Sequence, residues 1–176
     1  SYNGFSYTGA PSGTGFTAIY STYEAFAALK QDGSIEVWGS SYYGGSSTSG
    51  TTPYGSSYTG APSGTGFTAI YPNRHAFAAL KSDGSIEVWG NPAYGGSKTA
   101  GDSVALGLSY HGAPSGMVFA AIYSNLGAFA ALKQDGSIEA WGQVFGGGSD
   151  QPDGTGFTTI SSVAAAFAAL KQDGSI

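Results

Sequence analysis

The 176-residue chain has no cysteine, one methionine, and only six lysine and arginine residues in all. Without cysteine it can form no disulfide and offers no thiolate to a substrate or a metal. Charged residues make up only 10% of the chain, and the formal net charge is −5. A surface that grips phosphates needs clustered Lys and Arg, so six scattered cations weigh against nucleic acid as a partner. No window approaches the eighteen or so continuous apolar residues of a membrane-spanning helix, and no membrane insertion is expected. No secretory leader is visible, and the chain opens on Ser1 instead of Met.

What the sequence has in quantity is glycine, 30 residues, and one stretch that occurs four times. Ala25-Phe-Ala-Ala-Leu-Lys-Gln-Asp-Gly-Ser-Ile35 runs on into Glu-Val-Trp-Gly39, and it returns at 76–90, at 128–142 and at 166–176. Asp32-Gly33, Asp83-Gly84, Asp135-Gly136 and Asp173-Gly174 each separate two apolar runs, and Asp-Gly is a favoured pair for a two-residue hairpin loop. That turn predicts a register in which Leu29 faces Glu36, Ala28 faces Val37 and Ala27 faces Trp38. Phe26 then shares a face with Ala28, Ile35 and Val37, while Leu29 and Trp38 lie on the other. Both faces are largely apolar, whereas a hairpin wet on one side would alternate. The hairpin is therefore expected to be sandwiched between neighbouring sheets, with its alanines permitting close approach. Phe77, Leu80 and Trp89, then Phe129, Leu132 and Trp141, then Phe167 and Leu170, repeat the same structural roles. A helix is the competing reading of Ala-Phe-Ala-Ala-Leu-Lys, but six residues stopped by Asp-Gly are too few to hold one in water.

Upstream of each hairpin lies another alternating run, as in Gly15-Phe-Thr-Ala-Ile-Tyr20, so each unit should supply at least three antiparallel strands. The expected fold is all-β, a single tandem repeat domain over residues 1–176. Its units are read as the tail of a preceding unit (1–14), then 15–65, 66–117, 118–155 and a partial 156–176. The motif lysines Lys30, Lys81, Lys133 and Lys171 are spaced 51, 52 and 38 residues apart. The short interval lacks a stretch that the other two carry, which marks 47–59 and 98–111 as insertions. Insertions in repeat proteins usually map to loops on one face, often the binding face. Tyr54, Tyr58 and Tyr110 lie in them, beside Tyr43 and Tyr94 of the adjoining Gly-rich turns. These five are the candidate partner- or glycan-binding residues, because tyrosine gives broad amphipathic contact at low entropic cost. The chain begins and stops within a unit, which is expected of a segment from a longer array, the alternative being a ring that the N-terminal piece closes against the last unit.

The residues Ala28, Leu29, Asp32, Gly33, Ile35, Trp38, Gly39 and Gly44, with their counterparts in the next two copies, resemble the regulator of chromosome condensation repeat. The fourth copy matches as far as Ile176. The chain is more similar still to a bacterial variant with near-identical Phe-Ala-Ala-Leu-Lys-x-Asp-Gly-Ser-Ile, found in tandem in very large surface or adhesin-like proteins. The resemblance implies propeller-like blades, in the family normally seven of four strands each, acting as an interaction platform. An open stack, solenoid or filament is the alternative architecture. The family's Gly-Gln-Leu-Gly has become Tyr-Gly-Gly-Ser here, so packing between blades must differ.

No catalytic, metal or cofactor site is expected. His75 and His111 fall in non-equivalent positions with no metal-ligand spacing, and each recurrent Asp is accounted for by its turn. Glu36, Glu87 and Glu139 come one per unit, too dispersed for an acid/base pair. The Gly-rich stretches carry no phosphate-loop pattern. The expected function is a structural, adhesive repeat segment of a large secreted or cell-surface bacterial protein, meeting a protein or glycan partner. A carbohydrate-binding module built on the loop tyrosines and a self-assembling extracellular filament, in which further copies are the partner, are the other two readings.

Overall fold

The structure is a computed structural model, described over residues 7–103 and 107–176. The first six residues of the tail at 1–14, and residues 104–106 of the second insertion, lie outside this range. Among the described residues there are strands and single 3₁₀ turns but no α-helix. β1 (Tyr7–Thr8), β2 (Phe16–Ser21), β3 (Ala25–Lys30) and β4 (Ile35–Ser40) form an antiparallel sheet in the order β1-β4-β3-β2. A small hairpin of β5 (Gly50–Thr51) and β6 (Ser57–Tyr58) leads to the second sheet, β7 (Phe67–Pro72), β8 (Ala76–Lys81) and β9 (Ile86–Gly90). A second hairpin, β10 (Gly101–Ser103) and β11 (Leu108–His111), joins β12 (Phe119–Ser124), β13 (Ala128–Lys133) and β14 (Ile138–Gln143) in a five-stranded sheet. β15 (Phe157–Val163) and β16 (Ala166–Lys171) form a two-stranded sheet. The chain is thus an all-β succession of propeller-like blades.

The hairpin register differs from expectation by one residue. Leu29 pairs with Ile35, Ala28 with Glu36, Ala27 with Val37 and Phe26 with Trp38, and the same pairs recur in the next two copies. The loop has three residues, not two: Lys30 N–H bonds the Ser34 carbonyl, and Gly33 N–H bonds the Lys30 carbonyl at 2.9 Å. Gly33 alone supplies the left-handed conformation, with φ 75°, as in a type I turn closed by a glycine bulge. The Asp32 side chain does the remaining work, accepting from Ser34 N–H at 2.9 Å and Ser34 Oγ–H at 2.6 Å. A one-residue slip moves side chains to the opposite face, so Phe26 and Trp38 share a face and Leu29 lies with Ile35 and Val37 on the other. The rings stack at 5.2 Å in the first copy, 5.0 Å in the second and 5.3 Å in the third.

Both faces are covered, as the apolar pattern requires. Ala25, Ala27 and Leu29 of one blade pack with Phe67, Ile70, Phe77, Ala79 and Trp89 of the next, and this interface recurs between the second and third blades. Trp89 and Trp141 are fully buried. Each indole N–H donates to a glycine carbonyl of the preceding blade, Trp89 to Gly44 at 3.1 Å and Trp141 to Gly95 at 3.2 Å. Backbone hydrogen bonds stitch the same seam: Phe67, Phe119 and Phe157 donate to the carbonyls of Gly33, Gly84 and Gly136 at 3.0–3.1 Å. A side chain at Gly33 would put its Cβ 2.7 Å from the Gly66 nitrogen. Glycine is therefore needed at this turn for close approach as well as for φ.

The first and fourth copies depart from this burial. Phe26 is 43% exposed and Leu170 41%, because each lies on a face that no other blade of the described chain covers.

The inserted stretches are structural. β11 pairs with β14 of the third blade, Tyr110 opposite Gln143 and His111 opposite Gly142. Thr59, just past β6, bridges Gly90 of the second blade, and β1 pairs with β4 of the first. The outer strand of each of these blades therefore comes from the residues that precede its innermost strand.

Candidate functional site

The four copies share Ala-Phe-Ala-Ala-Leu-Lys without a change, yet the turn just before it differs in every copy: Thr22-Tyr23-Glu24, Asn73-Arg74-His75, Asn125-Leu126-Gly127 and Val163-Ala164-Ala165. Each turn joins the first strand of a blade to its second. Because β2 touches β7, β7 touches β12 and β12 touches β15, the fold draws the four turns together. Backbone bonds fix their spacing. Tyr23 N–H donates to the Arg74 carbonyl at 3.1 Å, and Leu126 N–H to the Ala164 carbonyl at 3.2 Å. The Ser162 hydroxyl donates to the Ser124 carbonyl at 2.9 Å.

The turns surround an open bowl of about 630 Å³, lined among others by Tyr23, Arg74, Leu126, Val163 and Ala164. Its apolar members are wet: Tyr23 is 65% exposed, Leu126 55% and Val163 69%. Arg74 is the one arginine in the chain. Its guanidinium lies over the Tyr23 ring, 5.3 Å from the centroid, and makes no ion pair among the described residues. Stacked this way, the planar group is oriented before any ligand arrives, and its donor fork suits a carboxylate.

Beneath the bowl runs an aromatic stack. Tyr43 lies 5.9 Å from Tyr23 and 4.7 Å from His75, and His75 lies 3.9 Å from Tyr94. Asn73 orients this histidine: its side-chain carbonyl accepts from the N–H groups of His75 and Ala76, and its amide donates to the Tyr94 carbonyl at 2.7 Å. His75 is buried, with Nδ1 lacking a hydrogen-bond partner. Burial, and then the charge of Arg74, push its pKa down from 6.5 to about 4. Burial likewise raises the Tyr42 and Tyr43 hydroxyls above their ordinary range. A neighbouring cleft of about 340 Å³ shares Arg74 and Leu126 with the bowl and adds Tyr94, Gln143 and Phe145, the last 80% exposed.

Of the five tyrosines singled out in the sequence, the structure brings Tyr43 and Tyr94 together, on opposite sides of His75. The other three lie in the outer hairpins. Tyr58 and Tyr110 are half-buried, each with its hydroxyl end laid across a glycine: a Cβ at Gly50 or Gly101 would fall 2.6 or 2.8 Å from it. Tyr54 is 70% exposed at a hairpin turn. The turn aspartates Asp32, Asp83, Asp135 and Asp173 all accept hydrogen bonds from the serine two residues on, which hold their carboxyls below the usual range. Among the described residues no group of three or more His, Asp or Glu side chains could hold a metal ion. Sequence reasoning missed Tyr23, Arg74, Leu126 and Val163. Aligning the four copies and asking where they disagree would have found them.

No family model and no curated protein sequence matches the chain. Solved structures do. The ectodomain of the Physcomitrella patens receptor kinase CR4 aligns over 94% of this chain and 41% of its own, with TM-score 0.55 and 18% identity. Prp20p of Saccharomyces cerevisiae, described with its binding to Gsp1p and histones, aligns over 90% of this chain and 39% of its own, with TM-score 0.52 and 18% identity. Yeast RCC1 (Prp20) bound to Kap60 gives TM-score 0.52 at 16% identity, over 89% and 40% of the two chains. The chain spans about two fifths of the length of these structures. Its fold is that of RCC1-like β-propeller repeats.

Proposed function

We propose that the chain is a non-catalytic interaction scaffold whose bowl of inner turns takes a protein partner, preferentially a segment that places a carboxylate beside an apolar side chain. One observation carries this reading: copies that are identical along a whole strand diverge at the adjoining turn, and the fold gathers the four divergent turns. Packing constrains the strand and leaves the turns free, so the turns are where recognition can differ from copy to copy. Arg74 on Tyr23 would take the carboxylate, and Leu126 and Val163 the apolar group. The RCC1-like Prp20p binds Gsp1p and histones, and Kap60 binds it too, which supports a protein as the kind of partner. The composition, low in charge and rich in Gly, Ser, Thr and Tyr without cysteine, and the repeat's likeness to bacterial surface arrays favour an adhesive role, secreted or at the cell surface.

The test is selection of a random dodecapeptide phage library on the immobilised chain. Enriched peptides should carry Asp or Glu next to an apolar residue, and Arg74→Glu should abolish their binding while Tyr54→Ala leaves it intact. Enrichment indifferent to Arg74→Glu would refute the bowl. Glycan-array binding lost on Tyr54→Ala would move recognition to the outer hairpins.

A further inference from the structure

The aromatic stack beneath the bowl stops partway along the array. Each of the first three blades supplies two places to it: the residue just ahead of Ala-Phe-Ala-Ala-Leu-Lys, and the residue just ahead of Gly44, Gly95 or Gly147. In chain order these places hold Glu24 and Tyr43, His75 and Tyr94, then Gly127 and Gly146. The rings of Tyr43, His75 and Tyr94 follow one another at 4.7 and 3.9 Å, and Tyr42 meets His75 edge-on at 6.2 Å. In the third blade both places are glycine, and Ala93 stands where Tyr42 stood one blade earlier.

The backbone beneath does not change. Asn73 accepts from the N–H groups of His75 and Ala76 and donates to the Tyr94 carbonyl at 2.7 Å. Asn125 accepts from Gly127 and Ala128 and donates to the Gly146 carbonyl, also at 2.7 Å. Neither Gly127 nor Gly146 takes a positive φ, so the backbone does not demand glycine at either place. A Cβ at Gly146 would meet nothing closer than 3.5 Å, and one at Gly127 would first meet the side chain of Gln143. What the third blade lacks is therefore rings alone, and the blades on both sides of it are described. Where they are missing lies the cleft of about 340 Å³, walled by Arg74 and Tyr94 of the preceding blade, Gln143 and Phe145 of its own, and Ala164 of the next.

We propose that this cleft receives one aromatic side chain of the partner segment, laid against Tyr94 as His75 is, while the segment's carboxylate sits on Arg74. The inference rests on the bowl reading and narrows it, since Arg74 and Leu126 line both hollows. The occupant is set by the second blade, where a planar ring fills the same place. Tyr94 offers such a ring an offset or tilted contact, and Phe145, 80% exposed, adds apolar wall. The Gln143 side chain, lying against Gly127, can accept a hydrogen bond from an indole N–H or a phenol O–H. That favours Trp or Tyr over Phe as the ring.

The probes are dodecapeptides selected on the unaltered chain and then titrated against chains whose cleft is filled. Gly127→His/Gln143→Asn gives the third blade the pair that the second carries as His75 and Asn91, and Gly146→Tyr fills the cleft from its other wall. Selected peptides should carry Trp or Tyr close to Asp or Glu, and should bind either filled chain at least tenfold more weakly. Two different fillings, each checked by thermal melting, separate loss of the seat from loss of the fold. With the nitrogen-15-labelled chain, the best peptide should shift the amide signals of Gly127 and Gly146. Ringless acidic peptides bound equally by the unaltered and filled chains would overturn this proposal and leave the bowl standing. Ring-bearing peptides lost on filling but indifferent to Arg74→Glu would refute the bowl and keep the ring seat. Acidic glycans bound by the unaltered chain and lost on filling would assign the cleft to a saccharide and overturn the proposal.

Discussion

Acidification from pH 7 to pH 4 should destabilise the native chain by about 3 kcal/mol through His75. The ring stacks on Tyr43 at 4.7 Å and lies tilted against Tyr94 at 3.9 Å, and beside it stands the permanent charge of Arg74. Burial first, and that charge second, bring its pKa from 6.5 to about 4. Between these two values the unfolded chain takes up a proton that the native chain refuses. Stability must therefore fall as pH drops from about 6.5 and stop falling through this group below about 4. At about 1.4 kcal/mol per pH unit, the gap between the two values gives roughly 3 kcal/mol as an upper figure. The turn aspartates, also held below their ordinary pKa, act in the same direction from about pH 5 downward, so the fall between pH 7 and 5.5 belongs to the histidine and the parallel variant subtracts the carboxylates below that. The assay is urea denaturation at pH 7, 5.5 and 4.5, with His75→Phe in parallel. Phenylalanine keeps a ring in the stack and removes the titration, and Nδ1 has no hydrogen bond to lose. The wild-type midpoint should fall steadily across this range while that of His75→Phe stays nearly level. Parallel behaviour of the two proteins, or a flat wild-type profile, would refute a buried neutral imidazole.

Two further comparisons separate the seam from its parts. Gly33→Ala and Gly174→Ala both place a side chain on left-handed backbone, at φ 75° and 86°, at roughly 1–2 kcal/mol each. Only the Gly33 change also drives a Cβ into the next blade, while nothing lies within 4 Å at Gly174. Its loss of thermal stability should be clearly the larger, and equal losses would discredit the close approach. Trp89→Ala should cost about 3–5 kcal/mol in chemical denaturation, as expected for a fully buried large ring. Trp38→Ala should cost markedly less, because its stacking partner Phe26 is 43% exposed.

The strands, their antiparallel pairing and the two-sided burial of Ala-Phe-Ala-Ala-Leu-Lys were legible because they depend on local pattern: an Asp-Gly stop, alanines where close packing is required, no polar face. The register was not. Asp-Gly serves a two-residue loop when both residues take positive φ, and a three-residue loop when only the glycine does. The choice turns on whether Phe26 can stack on Trp38, a cross-strand contact that spacing alone does not reveal. The part that the insertions play in the sheets was not legible either: β11 pairs with β14, a partner more than thirty residues further along the chain, while Tyr54 stays exposed at its hairpin turn. Tyr58 and Tyr110 are half-buried against Gly50 and Gly101, pairings set by two short hairpins. The bowl was invisible to any reading of one copy at a time, since Arg74 next to Tyr23 is a relation between copies.

The hydrogen bond from each Phe N–H to the preceding Asp-Gly turn has an evolutionary corollary. Since donor and acceptor belong to the same repeated sequence, duplicating one unit of the gene creates both halves of a new junction at once. Array length can then change by recombination without any compensating substitution at the new junction.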